Sequence, residues 1–90
     1  MTQFASITLM QNDDARPVID AILADNPGVQ VRSMPGVVKL DCDGRLTVNR
    51  ASVEERLGRP WSPQEIQLVL VSMAGNLEEN DDQFTLSWHK

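Results

Sequence analysis

Cysteine and histidine are almost absent from this chain, and most catalytic chemistry is excluded with them. Cys42 is the single cysteine and His89 the single histidine among 90 residues. An intrachain disulfide is therefore impossible, a multi-cysteine zinc or iron–sulfur site cannot be assembled, and the redox state expected is that of a reducing cytoplasm. A Ser-His-acid triad could only be built on His89, one residue from the end, where fraying is the rule. Neither G-x-S-x-G nor a Cys-His pairing occurs. The five glycines, at 28, 36, 44, 58 and 75, are scattered and form no phosphate-binding loop. No apolar run approaches the ~18 residues of a membrane span. Residues 1–11 lack the basic region and apolar core of an export signal, so neither is expected. Basic residues are outnumbered by acids, for a net charge of −5. That balance repels phosphate backbones and anionic lipid surfaces, which argues against nucleic-acid and membrane partners. Aromatics are only 4% of the chain. No basic residues interleave them, so Trp61 and Trp88 are read as core or staple residues and not as a stacking platform.

Two acidic clusters invite a metal reading and fail it. Asp41-Cys42-Asp43-Gly44 resembles the opening of a calcium loop. With Gly44 at the sixth position, however, Lys39 and Arg50 would fall where the first and twelfth ligands must be acidic. Glu78, Glu79, Asp81 and Asp82 read as a solvated loop held open by self-repulsion. Paired carboxylates for acid–base work would need burial to split their pKa values, and a loop this polar does not supply it. Cys42, on an apparent strand between two acids, is expected to be a structural thiol, because neighbouring negative charge disfavours the thiolate. No metal or organic cofactor is expected.

What the chain does have is an ordinary globular composition, 41% hydrophobic and 23% charged, in a length that allows one modest core and one domain over residues 1–90. Residues 1–4 are expected to fray. Ala5, Ile7 and Leu9 alternate with polar neighbours as a short strand. The cluster Gln11-Asn12-Asp13-Asp14 then offers side-chain oxygens to a helix start, with Pro17 tolerated in the first turn. Ala15, Val18, Ile19, Ile22 and Leu23 form one helical apolar stripe, stopped by Asn26-Pro27-Gly28. Val29–Arg32 and Val37–Cys42 read as strands around Pro35-Gly36. Asp43-Gly44 gives the strongest hairpin signal, with Leu46 and Val48 on the returning strand. Asn49 is placed to cap a two-turn helix carrying Val53 and Leu57, which Gly58 ends. Ser62-Pro63-Gln64-Glu65 has the form of a capping box, with Trp61 able to staple onto Ile66. Leu68-Val69-Leu70-Val71 is unbroken and β-branched, and reads as the covered central strand of the sheet. Gly75–Asp82 reads as an acidic connection. Phe84, Leu86 and Trp88 alternate with polar residues as a last half-buried strand. The order β-α-β-β-β-α-α-β-β predicts an α+β domain with mostly antiparallel sheet, one main helix and one or two short ones.

Function by exclusion is binding. Four segments name a partner: Asp25-Asn26-Pro27-Gly28, Leu57-Gly58-Arg59-Pro60-Trp61, Gln64-Glu65 and Ser72-Met73-Ala74-Gly75. In this order and spacing the chain resembles the effector family of bacterial multicomponent monooxygenases, from Asn12 to Trp88. Relatives serving methane oxidation carry longer tails at both ends, so the phenol hydroxylase branch is the one expected. The resemblance implies a cofactor-free regulatory protein, not an enzyme, that binds the diiron hydroxylase (oxygenase) component over its carboxylate-bridged metal site. There it would adjust substrate and oxygen access and couple electron delivery from a separate reductase to aromatic hydroxylation. It also implies that Ser72, Met73, Ala74, Gly75 and Asn76 face the oxygenase. Met73 suits an adaptable interface as well as it suits a core, and Gly75 is expected to permit close backbone approach. Asn26-Pro27-Gly28 and Leu57-Gly58 are read as helix stops. The alternative is a generic α+β adaptor with another partner.

Overall fold

The computed structural model describes residues 4–88. His89 and residues 1–3 lie outside them. Seven strands, all paired antiparallel, form two sheets. β1 (Phe4–Met10) is followed by helix α1 (Arg16–Asp25), then β2 (Gln30–Met34), β3 (Val37–Asp43), β4 (Arg45–Asn49) and helix α2 (Arg50–Leu57). A 3-10 helix (Pro63–Leu68) leads into β5 (Leu70–Ala74), β6 (Asn76–Glu79) and β7 (Gln83–Ser87). One sheet has the order β2-β3-β1-β5, the other β4-β7-β6. The α+β expectation holds, with seven strands where the sequence pattern predicted six.

Alternation places Ala5, Ile7 and Leu9 of β1 in the core together with Val38 and Leu40 of β3. Leu46, Val48, Phe84 and Leu86 contribute from the second sheet, and Val18, Ile19, Ala21 and Ile22 from α1, so both sheets share one apolar cluster. The polar prelude does not cap the first-turn amides of α1 as expected: the N-cap residue is Ala15, and the Asn12 side-chain oxygen accepts from its amide at 2.9 Å, closing the turn before the helix. Asn26 does more than stop this helix. Its side-chain amide donates to the carbonyls of Ile22 (2.9 Å) and Thr47 (2.7 Å), and its oxygen accepts from the Thr47 N–H (2.9 Å). It thereby stands in for a neighbouring strand along β4.

Several expectations are corrected. Phe4, expected to fray, is the first residue of β1 and pairs with Asp43. Asp43-Gly44 is not the turn of a hairpin. β3 and β4 belong to different sheets, and the left-handed Gly44 (φ 78°) carries the chain between them. The two-residue hairpin lies instead at Pro35-Gly36, where Met34 faces Val37. Asn49 does not cap α2 with its side chain; its amide donates to Asp25 Oδ2 at 3.0 Å. Trp88 is 40% exposed, so of the two tryptophans only Trp61, at 5%, is a core residue. Leu68–Val71 is not the covered centre of a sheet. β5 is an edge strand whose residues are mostly exposed. Finally, the supposed connection Gly75–Asp82 contains β6, paired to β7 from Asn76↔Ser87 to Glu79↔Phe84.

Candidate partner-docking site

The 3-10 helix sets the start of the exposed segment. Ser62 and Glu65 form the reciprocal capping box that their spacing predicted, with the Ser62 N–H donating to Glu65 Oε2 at 2.8 Å. The chain then passes Val69, whose carbonyl accepts from the Met10 amide at 2.8 Å, and enters β5. Pairing with β1 is irregular: Leu9 faces Leu70 while Thr8 already faces Ser72. Val71 is the extra residue of this bulge, a device that bends an edge strand and re-aims its side chains.

Ser72, Met73 and Ala74 complete β5, Gly75 links the sheets, and Asn76 opens β6. The structure thus brings all five expected residues onto one continuous surface segment that edges both sheets. From Val71 to Asp82 every residue is exposed except the half-buried Gly75. Gly75 has φ +126°, and a Cβ there would lie 3.4 Å from both the backbone N and O of Ser87. The close approach that glycine permits is therefore made within the chain, to β7. Three residues of the surface were missed by sequence reasoning: Leu68, Val71 and Leu77 are exposed apolar side chains flanking the five. The available signal was charge, since no residue from Ile66 to Leu77 is ionisable. Edge strands are ordinarily protected by charge or proline, and β5 has neither.

Arg50, the first residue of α2, ties the β6–β7 turn to that helix. The Arg50 amide donates to the Asp82 carbonyl at 2.8 Å and its guanidinium to the Asp81 carbonyl at 3.3 Å. Its Nε reaches Glu54 Oε2 at 3.1 Å, and that oxygen also accepts from the Trp61 N–H at 2.8 Å. The Trp61 amide first, and the Arg50 side chain second, hold the Glu54 carboxyl below its usual pKa. Elsewhere, burial and then the charge of Asp43 push the Cys42 thiol up, which keeps it protonated and unreactive, as expected for a structural thiol. Among the described residues no group of three His, Cys, Asp or Glu side chains could hold a metal ion. Among them, too, no helix is long and apolar enough to cross a membrane.

The comparisons with known proteins match this architecture. The model of the MmoB/DmpM family matches residues 3–87. The chain belongs to that family. It is 39% identical over 88 residues to the stimulatory component DmpM of phenol 2-monooxygenase from Pseudomonas sp. (strain CF600), covering 98% of each. It is 33% identical to the effector subunit of the alkene monooxygenase system of Xanthobacter autotrophicus (strain ATCC BAA-1158 / Py2), over 86% of this chain and 76% of that one. Its fold superposes with a TM-score of 0.93 on a chain from a phenol hydroxylase–regulatory protein complex, at 38% identity, covering 97% of this chain and all of the other. These family members are stimulatory, effector or regulatory components, not catalytic subunits.

Proposed function

We propose that this chain is the effector component of a phenol hydroxylase-type multicomponent monooxygenase, and that it docks on the hydroxylase through Ser72, Met73, Ala74, Gly75 and Asn76. The observation that carries the reading is the uncharged, exposed segment edging both sheets, on a fold shared with a regulatory protein of a phenol hydroxylase complex. Among the described residues no group of three His, Cys, Asp or Glu side chains could hold a metal ion for the hydroxylation itself. The chain acts by binding one conformation of the diiron hydroxylase more tightly than another, since a ligand shifts an equilibrium only by its difference in affinity for the two states. Driving a 1:99 population to 99:1 takes about 5.5 kcal/mol of such difference, within the reach of one interface of standard area. Substrate and oxygen entry at the diiron site, and the coupling of electrons from the reductase to ring hydroxylation, are what the favoured state would set. The cytoplasm is the compartment this reading assigns, in keeping with a lone protonated thiol.

The test adds the purified chain to hydroxylase and reductase and follows phenol turnover. Turnover should rise and saturate at a fixed stoichiometry. Met73→Asp, which places a charge on the exposed strand, should reduce the stimulation at least about tenfold while the melting temperature stays near that of the wild type. A hydroxylase indifferent to the chain would refute the reading. Stimulation unchanged in Met73→Asp would move the docking surface elsewhere.

A further inference from the structure

The motifs Leu57-Gly58-Arg59-Pro60-Trp61 and Gln64-Glu65, read from sequence as helix punctuation, meet in space. Leu57, Arg59, Trp61 and Glu65 line one side of a cleft of about 230 Å³, closed on the other by the β1–α1 connection with Asp13 and Asp14. Its lining is mixed: the charged Asp13, Asp14, Arg59 and Glu65 stand beside the apolar Leu57 and Leu68, over a floor of Val18, Trp61 and Val69, all at least 95% buried. On its lip Leu68 is 75% exposed, the most exposed large apolar side chain described. The charges at the mouth do not balance. Arg59 reaches Glu65 Oε1 at 3.5 Å and is compensated by it. Asp13 and Asp14 are exposed and make no hydrogen bond or ion pair among the described residues.

We propose that this cleft is a second docking point, which receives an arginine or lysine side chain of the hydroxylase; the inference rests on the docking reading above. A long cationic side chain joins an aliphatic stem to a charged head. Leu57 and the exposed Leu68 suit the stem and the two unpaired carboxylates suit the head, whereas an anionic or purely apolar group would leave Asp13 and Asp14 uncompensated. The cleft is also continuous with the docking strand. Val69 lines its wall, and Leu70, the next residue, begins β5. A partner that covers β5 and the exposed Leu68 before it therefore meets the cleft where the strand begins.

The test is calorimetric titration of a purified phenol hydroxylase oxygenase component with three full-length chains, at low and high salt. These are the wild type, the Asp13→Asn/Asp14→Asn double variant, and an Asp43→Asn/Glu55→Gln control that changes net charge equally at exposed sites outside the cleft lining. The cleft variant should bind at least about tenfold more weakly at low salt, and the gap should narrow as salt screens the pair. The control should stay within about twofold of the wild type. Equal weakening of both variants would reduce the effect to long-range attraction and overturn the proposal. A cleft variant that matches the wild type would overturn it while leaving the docking reading intact. A wild-type chain that does not bind would remove both.

Discussion

At the scale of single residues, Asn26 and Glu54 show how a few polar side chains hold a small apolar core in register. Asn26 is buried and makes three hydrogen bonds, two of them to both backbone groups of Thr47. Asn26→Ala removes the donor and the acceptor together, and leaves that stretch of β4 without partners at its edge. Unsatisfied buried groups cost roughly 1–3 kcal/mol each, so a loss of about 3 kcal/mol is expected in urea denaturation, a large share of the stability of a domain this size. Asn26→Asp should be nearly as damaging, because a carboxylate cannot donate to the Ile22 and Thr47 carbonyls. Glu54 acts through pH. Its carboxyl titrates lower in the folded chain than its ordinary 4.5, chiefly because the Trp61 N–H bonds to the charged form. The unfolded chain therefore takes up this proton first as pH falls. The stabilisation is complete above about pH 4.5 and is lost as pH drops through the folded value. Melting followed from pH 6 to pH 3 should fall more steeply for the wild type than for Glu54→Gln, whose side chain does not titrate.

At the scale of elements, Gly44 and Gly75 both carry the chain between sheets, but only Gly75 differs from the glycines in ordinary turns. Gly36 has φ +81° with open space where a Cβ would be, while Gly75 adds to φ +126° a close approach to the Ser87 backbone. Gly36→Ala should cost about 1 kcal/mol of strain, and Gly75→Ala more, about 2–3 kcal/mol, because φ +126° lies well beyond the left-handed region that an L-residue can reach; chemical denaturation of the two variants would rank them. Such dependence on distant residues also explains what sequence could and could not reveal. α1, β1, β3, α2 and the capping box at Ser62 were legible, because their signals of period, cap and stop are local. β5 was legible as a strand but misplaced within the sheet. An apolar run marks a buried strand only if something covers it, and among the described residues nothing does. β6 carries a single apolar residue, Leu77, and none of its side chains is buried, so no alternation existed to detect. Asp43-Gly44 has the composition of a hairpin turn, but the partner of β4 is β7, about forty residues further on. The five proposed docking residues followed the same division. The resemblance named them, whereas their exposure along two sheet edges came only from the pairing of strands.

At the scale of the whole molecule, the question is whether two sheets behave as one body. The Cα radius of gyration is 12.1 Å, as expected for a single compact unit of about 90 residues. β1 of the first sheet packs on β4 and β7 of the second, and no apolar face is completed by one sheet alone. The ends are joined as well: the Trp88 amide donates to the Gly44 carbonyl at 3.1 Å and its indole N–H to the Phe4 carbonyl at 2.7 Å. Separating the sheets would expose Ile7, Leu40, Leu46 and Phe84 together, so neither sheet has a stable core without the other. Unfolding should therefore be a single transition. In Trp88→Phe the only indole left is Trp61, which reports on the 3-10 helix, while far-UV circular dichroism reports on the strands. Their urea midpoints should coincide, with a slope of about 1 kcal/mol per molar urea. Two separated midpoints would mean that the sheets melt independently. That outcome would bear directly on the proposed mechanism, because β5 and β6 belong to different sheets. A hydroxylase can draw differential binding energy from Ser72 and Asn76 together only if the frame holding them is rigid. If the frame yields, part of the docking energy is spent ordering the effector instead of selecting a state of the partner.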